Sequence, residues 1–194
     1  MSTSFSLKKY DNIFFDCDGV ILNSNQVKTD SFFDVASKYG EKNAYLLKEY
    51  HIKNGGVSRY QKFKYFINNI LEEVDPKEKI YKELLENFSK SVRSKLKDCE
   101  AVKCLPKLKQ ISHNSKWTIV SGGNQEELHE TFEQRGLSKF FSGGIFGSPM
   151  KKEDIMIKCR DSHDNFKNSL FIGDSIYDYH ISKKFELDFI FISG

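Results

Sequence analysis

Residues 14–24, which read FFDCDGVILNS, end an apolar run in two acids that stand one residue apart. Asp16 and Asp18 are followed at once by Gly19. Side chains at positions i and i+2 of a strand point to the same face, so the two acids can face one site where the strand ends. Carboxylates are costly to bury unless a cation or a metal compensates them. Taken alone, the pair is explained by solvated turn residues, so its meaning depends on the rest of the chain.

Short apolar runs bounded by turn signals recur along the chain, and after residue 100 they alternate with helical patterns. Continuous apolar strands that alternate with helices are typical of a parallel sheet covered on both faces. We therefore predict an α/β fold with a Rossmann-like parallel sheet core. The expected strands are 12–15, 117–121, 144–147, 169–174 and 188–192. The expected helices of this part are 124–136, 151–162 and 176–185, the first with Asn124 as N-cap, Glu127 at the capping-box position and Gly136 at its end.

The segment between the first strand and the rest of the sheet is helical throughout. Four stretches have apolar residues at three- and four-residue spacing, with breaks at Gly55-Gly56 and Pro76. We predict that residues 23–98 form an inserted all-helical cap, and that residues 1–22 and 99–194 together form the α/β catalytic core. The expected cap helices are 29–40, 44–52, 58–74 and 78–96.

Composition excludes several classes of protein. The chain has 194 residues, 39% of them hydrophobic and 29% charged, which suits a packed core and argues against disorder. A net charge of +3 from dispersed residues does not indicate nucleic-acid binding, and no long apolar window predicts a membrane span. The N-terminus lacks the apolar region of a secretory signal, and the four cysteines lack metal-ligand spacing. We expect reduced thiols, a cytoplasmic location, and no nucleic-acid or membrane partner.

A second pair of acids follows another strand. Asp174 comes directly after the apolar run 169–173, and Asp178 lies one helical turn further on, so both carboxylates can face one point. In open parallel sheets, ligands bind at the carboxyl ends of the strands. Acids collected there need a cation, and Mg²⁺ prefers oxygen ligands, taking one or two carboxylates together with water and phosphate.

Two further elements suit an anion. Ser121 with the backbone N–H groups of Gly122 and Gly123 offers donors for phosphate oxygens, although an ordinary turn has the same residues. Lys151 and Lys152 begin a helix, where a cation is unfavourable for the helix dipole, and an anion pocket would explain one of them. A surface lysine remains the ordinary explanation for the other.

These four stretches, FFDCDGVILNS, TIVSGG, GSPMKKEDI and FIGDSIYD, occur in the order that resembles the haloacid dehalogenase-like hydrolase superfamily. The helical insertion resembles the cap of its phosphoglycolate phosphatase and β-phosphoglucomutase branch. The resemblance implies Asp16 as nucleophile and Asp18 as general acid and base. It implies Mg²⁺ held by Asp16, Asp18 through its backbone carbonyl, and Asp174, with Asp178 in support. It also implies that Ser121 and Gly122 bind the phosphoryl group and that Lys152, with Lys151 as the second choice, neutralises it. Gly19 would make a tight turn, and the Cys17 side chain would have no catalytic role.

The cap contains GGVSR at residues 55–59, which resembles the specificity loop of this cap type. By that resemblance Arg59 binds a phosphate or polar end of the substrate, and Gly56 permits a close approach. The alternative is a helix start with Ser58 as cap and Arg59 in solvent. β-Phosphoglucomutases carry a histidine where this chain has Lys28, which favours a phosphatase over a mutase.

The function predicted from the sequence is a Mg²⁺-dependent phosphatase that acts on a small phosphorylated metabolite, a phosphosugar or a phosphoglycolate-like compound, through an aspartyl-phosphate. The alternatives are a sugar-phosphate mutase and an inactive member that serves as a binding protein. Relatives usually continue beyond the last strand with another loop and helix. The chain is therefore expected to be either short or truncated, and truncation would expose apolar surface beside strand 188–192.

Overall fold

The computed structural model describes residues 6–71, 75–162 and 164–193 and has an α/β fold. Five parallel strands form one sheet in the spatial order β3-β2-β1-β4-β5. The strands are β1 Asn12–Phe15, β2 Lys116–Asn124, β3 Gly144–Ser148, β4 Ser169–Gly173 and β5 Asp188–Phe191. Within these described ranges, eight α-helices accompany them: α1 Asn25–Ala36, α2 Glu41–Lys53, α3 Arg59–Tyr65, α4 Lys77–Leu96, α5 Leu105–Ile111, α6 Gln125–Gln134, α7 Lys152–Ser162 and α8 Ile176–Lys184.

The central strand β1 is buried on both faces, because its alternate side chains enter two different hydrophobic clusters. Ile13 and Phe15 pack with residues of α5 and α6, among them Leu105 and Phe132. Phe14 points to the other face and packs with residues of α7 and α8. Every residue of β1 is buried, which accounts for the apolar run from Ile13 to Phe15.

The inserted helices have a hydrophobic cluster of their own. Aromatic and aliphatic side chains of α1 to α4 pack together, with Phe32 and Phe88 at the centre and their ring centroids 4.3 Å apart. The chain leaves the sheet after β1 and returns beside its point of exit, where Leu22 forms an antiparallel bridge with Ala101. The Asn23 N–H also donates to the Glu100 carbonyl. The two crossings between sheet and helices are thus adjacent.

Several element boundaries differ from the sequence-based expectation. The helix expected over 58–74 is α3 followed by one π-helical turn, Phe66–Ile70, and its expected end at 72–74 lies outside the described residues. Helix α5 was not expected; it has only seven residues, with Pro106 in its first turn. Strand β2 continues through Ser121 to Asn124, three residues further than predicted.

Among the described residues, strand β5 forms an edge of the sheet and pairs only with β4. Phe191 of this strand is 56% exposed. None of the helices in the described part of the chain is long and apolar enough to cross a lipid bilayer.

Candidate active site

The segment after β1 is a compact loop closed by backbone hydrogen bonds. The N–H groups of Ile21 and Leu22 donate to the Cys17 carbonyl, and the Gly19 N–H donates to the Leu22 carbonyl. Gly19 has a φ of +73°, and a Cβ at this position would overlap Asp174 Oδ2. A glycine is therefore required here for two reasons, the left-handed backbone and the close approach of an acid from β4.

Asp16 lies at the bottom of the site in contact with a buried lysine. Its Oδ1 accepts a hydrogen bond of 2.8 Å from the Cys17 N–H and lies 3.0 Å from Lys152 Nζ. Lys152 also donates to Asp178 Oδ1 at 2.6 Å, while Ser175 Oγ donates to Asp178 Oδ2. Burial alone would lower the pKa of Lys152, but the carboxylates of Asp16 and Asp178 outweigh it and hold the pKa above its ordinary value. The neighbouring Lys151 is exposed.

Three carboxylates converge beside this lysine. Oxygen atoms of Asp16, Asp174 and Asp178 all lie within 4.8 Å of one another. Burial, with the charges of the nearby acids added, raises the pKa of Asp16 to about 8 despite Lys152. Burial also raises the pKa of Asp174, whose Oδ2 accepts a hydrogen bond of 2.7 Å from Asn25 Nδ2. One lysine leaves the negative charge of this cluster uncompensated, and hard oxygen donors of this kind suit a divalent cation such as Mg²⁺.

Asp18 faces the helical insertion rather than the carboxylate cluster. Its Oδ1 accepts from Ser24 Oγ at 2.5 Å, and its Oδ2 forms an ion pair with Lys28 of α1. Burial alone would raise the pKa of Asp18, but Lys28 and the Ser24 hydroxyl hold it below its ordinary value. Asp18 is therefore ionised in this arrangement.

The end of β2 meets the insertion at two glycines. Ser121 is fully buried, and its Oγ accepts a hydrogen bond of 3.0 Å from the Gly123 N–H. A Cβ at Gly122 would lie 2.5 Å from the Gly56 carbonyl oxygen. The backbones of the two glycines thus pack directly against each other, which only glycine at position 122 allows.

Arg59 is buried and makes a bidentate ion pair with a core helix. Its Nη1 and Nη2 atoms donate to Glu127 Oε1 at 2.8 Å and to Glu127 Oε2 at 2.6 Å. The alternative to a substrate-binding Arg59 was a helix start with Ser58 as cap and Arg59 in solvent. Ser58 does cap α3, but Arg59 is only 5% exposed. Asn124 is the N-cap of α6, as predicted, whereas the Glu127 carboxylate turns to Arg59.

A cavity of about 590 Å³ lies between the sheet and the insertion. Asp16, Asp18, Asp174 and Gly122 line its sheet side, with Lys152 and Asp178 buried behind them. The insertion contributes residues of α1, α2, α3 and the 54–57 loop, which include Asn25, Lys28, His51, Gly56, Arg59 and Lys62. Nearly all residues singled out in the sequence therefore lie at one cavity, and Ser121 is just beneath its surface.

Among the cavity residues that the sequence did not single out are Asn25, His51 and Lys62. A signal for Lys62 was available, because it stands three residues after Arg59 and so lies on the same face of α3. His51 and Asn25 come from two other helices, and only tertiary packing brings them to the cavity. Glu127 was read as a capping residue, and its pairing with Arg59 is a contact between segments far apart in sequence.

Comparison with known families agrees with this geometry. Residues 13–192 match the model of the family described as haloacid dehalogenase-like hydrolase. The fold and the acids at the strand ends are thus those of a hydrolase with an aspartate-lined site, and the chain belongs to the haloacid dehalogenase-like hydrolases. A search of curated proteins finds no match.

Solved structures with the same fold include members of the branch expected from the sequence. A β-phosphoglucomutase from Clostridium difficile is 16% identical, with a TM-score of 0.70 over 95% of this chain and 85% of that one. A protein from Haemophilus somnus described as a predicted phosphoglycolate phosphatase is 15% identical, with a TM-score of 0.70 over 94% and 85%. A mutant of CbbY from Rhodobacter sphaeroides, in complex with xylulose-(1,5)-bisphosphate, is 13% identical, with a TM-score of 0.69 over 95% and 87%. At these identities the similarity concerns the fold.

Proposed function

We propose that this protein is a Mg²⁺-dependent phosphatase that hydrolyses a small phosphorylated metabolite, a phosphosugar or a phosphoglycolate-like compound, through an aspartyl-phosphate on Asp16. The observation that carries the proposal is the convergence of three carboxylates within 4.8 Å, beside a buried lysine, under one cavity. The cytoplasmic location expected from the cysteine pattern is part of the same proposal.

The residues present fit Mg²⁺. Asp16 and Asp174 would hold the ion with the backbone carbonyl of Asp18, and Asp178, whose oxygens already accept from Lys152 and Ser175, would support it from behind. When bound, Mg²⁺ supplies positive charge that balances the carboxylates and the phosphate oxygens. Burial among other acids raises the pKa of Asp16, and a cation bound at this place would lower it again.

In this proposal Asp16 acts as the nucleophile. Both hydrogen-bonding and ionic contacts of its carboxylate are made by Oδ1, so Oδ2 is the oxygen left to attack phosphorus. The bond from Oδ2 to phosphorus forms while the bond from phosphorus to the ester oxygen breaks. Lys152 stabilises the charge of the transferring group, together with donors from Ser121 and the backbone of Gly122.

Asp18 would move the protons. It gives a proton to the departing alkoxide, and its carboxylate then takes a proton from the water whose oxygen attacks phosphorus and releases Asp16. Asp18 is ionised while it pairs with Lys28, which suits the second step. For the first step it must leave Lys28 and carry a proton. Gly56 and Arg59 would line the side of the substrate that does not react.

The Asp16→Asn variant tests the nucleophile. Hydrolysis of p-nitrophenyl phosphate, followed as release of nitrophenolate, is expected to fall by at least about 10⁴-fold, because an amide cannot form the phosphoenzyme. Asp11→Asn, the same change at an exposed position before β1, should leave the rate unaltered. Equal rates for Asp16→Asn and the wild-type protein would remove Asp16 from the mechanism.

Three further measurements test the metal dependence and separate the phosphatase from the mutase and from the inactive binding protein. Chelation of divalent ions should stop turnover, and added Mg²⁺ should restore it. Isomerised sugar phosphate without release of inorganic phosphate would identify a mutase. A folded wild-type protein that hydrolyses no compound in a panel of phosphorylated metabolites would identify an inactive binding member.

A further inference from the structure

The cavity carries four cationic side chains from the insertion, and three of them have a carboxylate partner. Lys28 pairs with Asp18, Arg59 pairs with Glu127, and the exposed Lys53 lies 3.9 Å from Glu49. The fourth is Lys62 of α3, which is 2% exposed. Across residues 6–71, 75–162 and 164–193, Lys62 has no carboxylate within ion-pair distance.

The hydrogen bond that Lys62 makes is with a neutral group, and its Nζ also lies 5.4 Å from the centroid of the Phe32 ring. Its Nζ donates a hydrogen bond of 2.8 Å to His51 Nδ1. Burial, with the charges of Lys62 and Lys28 added, lowers the pKa of His51 to about 3, so the ring is uncharged. An accepting Nδ1 places the ring proton on Nε2, from which it is donated to Thr29 Oγ1 at 3.2 Å. His51 therefore orients the ammonium group without compensating its charge.

A buried ammonium with one neutral acceptor is an expensive arrangement. Burial, reinforced by Lys28, lowers the pKa of Lys62 to about 7 even though Asp18 acts in the opposite direction. Lys62 lines the same cavity as Asp16, on the side formed by the insertion. An anionic group in that half of the cavity would supply the missing counter-charge, and the two unused N–H groups of Lys62 could donate to it.

We propose that the substrate carries a second anionic group, a carboxylate or a phosphate, and that Lys62 binds this group while the reacting phosphate lies at Asp16. This inference rests on the function proposed above and narrows its substrate class to phosphomonoesters with a second negative end. Arg59 is less suited to this binding, because both of its terminal nitrogens already donate to Glu127.

Two matched pairs of substrates test the inference and distinguish the two anions. The first is 2-phosphoglycolate against 2-hydroxyethyl phosphate, which differ in the carboxylate. The second is glucose 1,6-bisphosphate against glucose 1-phosphate, which differ in the second phosphate. In at least one pair the wild-type kcat/KM should be about 10- to 100-fold higher for the doubly anionic member, as for a charge-assisted hydrogen bond.

The Lys62→Met variant should abolish this preference. We expect kcat/KM for the preferred anionic substrate to fall about 10- to 100-fold, mainly through KM, and to change less than about 3-fold for its neutral-ended partner. Lys53→Met removes a cation from the same cavity and is the matched control; it should preserve the preference. The melting temperature of Lys62→Met should not fall, because the substitution removes an uncompensated buried charge.

The outcomes separate this inference from the proposed function. Hydrolysis of all four compounds with no preference in either pair overturns the inference and leaves a phosphatase. An equal loss on both members of the preferred pair in Lys62→Met also overturns it, since a merely structural lysine would act that way. If the folded wild-type protein hydrolyses neither these four compounds nor any other phosphomonoester, both proposals are wrong.

Discussion

His51 is a buried imidazole between a lysine and a threonine, and its contacts have a consequence for stability. Its pKa of about 3 lies well below the ordinary value of 6.5, first because of burial and then because of Lys62 and Lys28, against which Asp18 acts weakly. The unfolded chain therefore binds a proton below about pH 6.5 that the folded chain does not bind until about pH 3. Folding stability is lost as the pH falls through this window.

His51→Gln should remove that loss. Between pH 7.5 and pH 5 the wild-type protein should lose about 2 kcal/mol through this group, whereas the variant should not. Urea unfolding of both proteins at the two pH values measures the difference. His113→Gln, at an exposed position, is the control. A gap between wild type and His51→Gln that is the same at both pH values would contradict the argument.

The sequence predicted residues of the site where the chemistry is local to a strand end. Asp16, Asp18, Asp174 and Asp178 stood out because acids after apolar runs are unusual and because strand ends converge in a parallel sheet. Lys62 did not stand out, since one lysine on a helix is ordinary until its burial is known. Its role depends on packing among three helices, which spacing within one segment does not reveal.

At the scale of elements, α3 and α6 are joined by the Arg59–Glu127 pair, which is almost fully buried. Both terminal guanidinium nitrogens, Nη1 and Nη2, and both carboxylate oxygens are used, and the guanidinium also lies 4.5 Å from the Phe88 ring centroid. Removing one partner of such a pair leaves a buried charge without compensation. The pair thus fixes the insertion against the sheet, and it does so only while both residues are present.

Arg59→Met should destabilise the protein by about 3–5 kcal/mol, and the double variant Arg59→Met/Glu127→Met should be more stable than the single one. Urea unfolding of the single and double variants gives the coupling energy. Arg93–Glu130 offers a matched control, since this pair also joins the insertion to α6 but is about half exposed. Arg93→Met should cost less than about 1 kcal/mol. Similar losses for Arg59→Met and Arg93→Met would show that burial is not the cause.

Elements with a strong apolar pattern in their own sequence were predicted. Elements without such a pattern were not. The run NIFF is β1 with the predicted bounds, because each of its residues is buried by helices on both faces. Helix α5 escaped prediction, because seven residues give too few turns for a periodicity. The π-helical turn Phe66–Ile70 has the same spacing of apolar residues as an α-helix, so the spacing does not distinguish it from α3.

At the scale of the whole molecule, stability should decrease from the centre of the sheet to its edge. Strand β1 pairs with β2 and β4 and is fully buried, whereas β5, in the part of the chain that the structure describes, pairs on one side only and is half-exposed. Amides of Ile13, Phe14 and Phe15 should therefore exchange only through global unfolding, and those of β5 through local opening. Hydrogen exchange measured by mass spectrometry on peptides of the two strands provides the comparison. Equal protection of β5 and β1 would contradict this gradient.

The central position of β1 also bears on the order in which the protein assembles on the ribosome. Phe14 is made early, yet its neighbours in the sheet are Thr118 and Phe171, which emerge much later. The helices α1 to α4 are contiguous in the chain, and their shared cluster of apolar side chains needs no residue of the sheet strands. During synthesis the insertion can thus form its own hydrophobic cluster before the strands that pair with β1 have been made. The strand that is made first is then among the last to be completed.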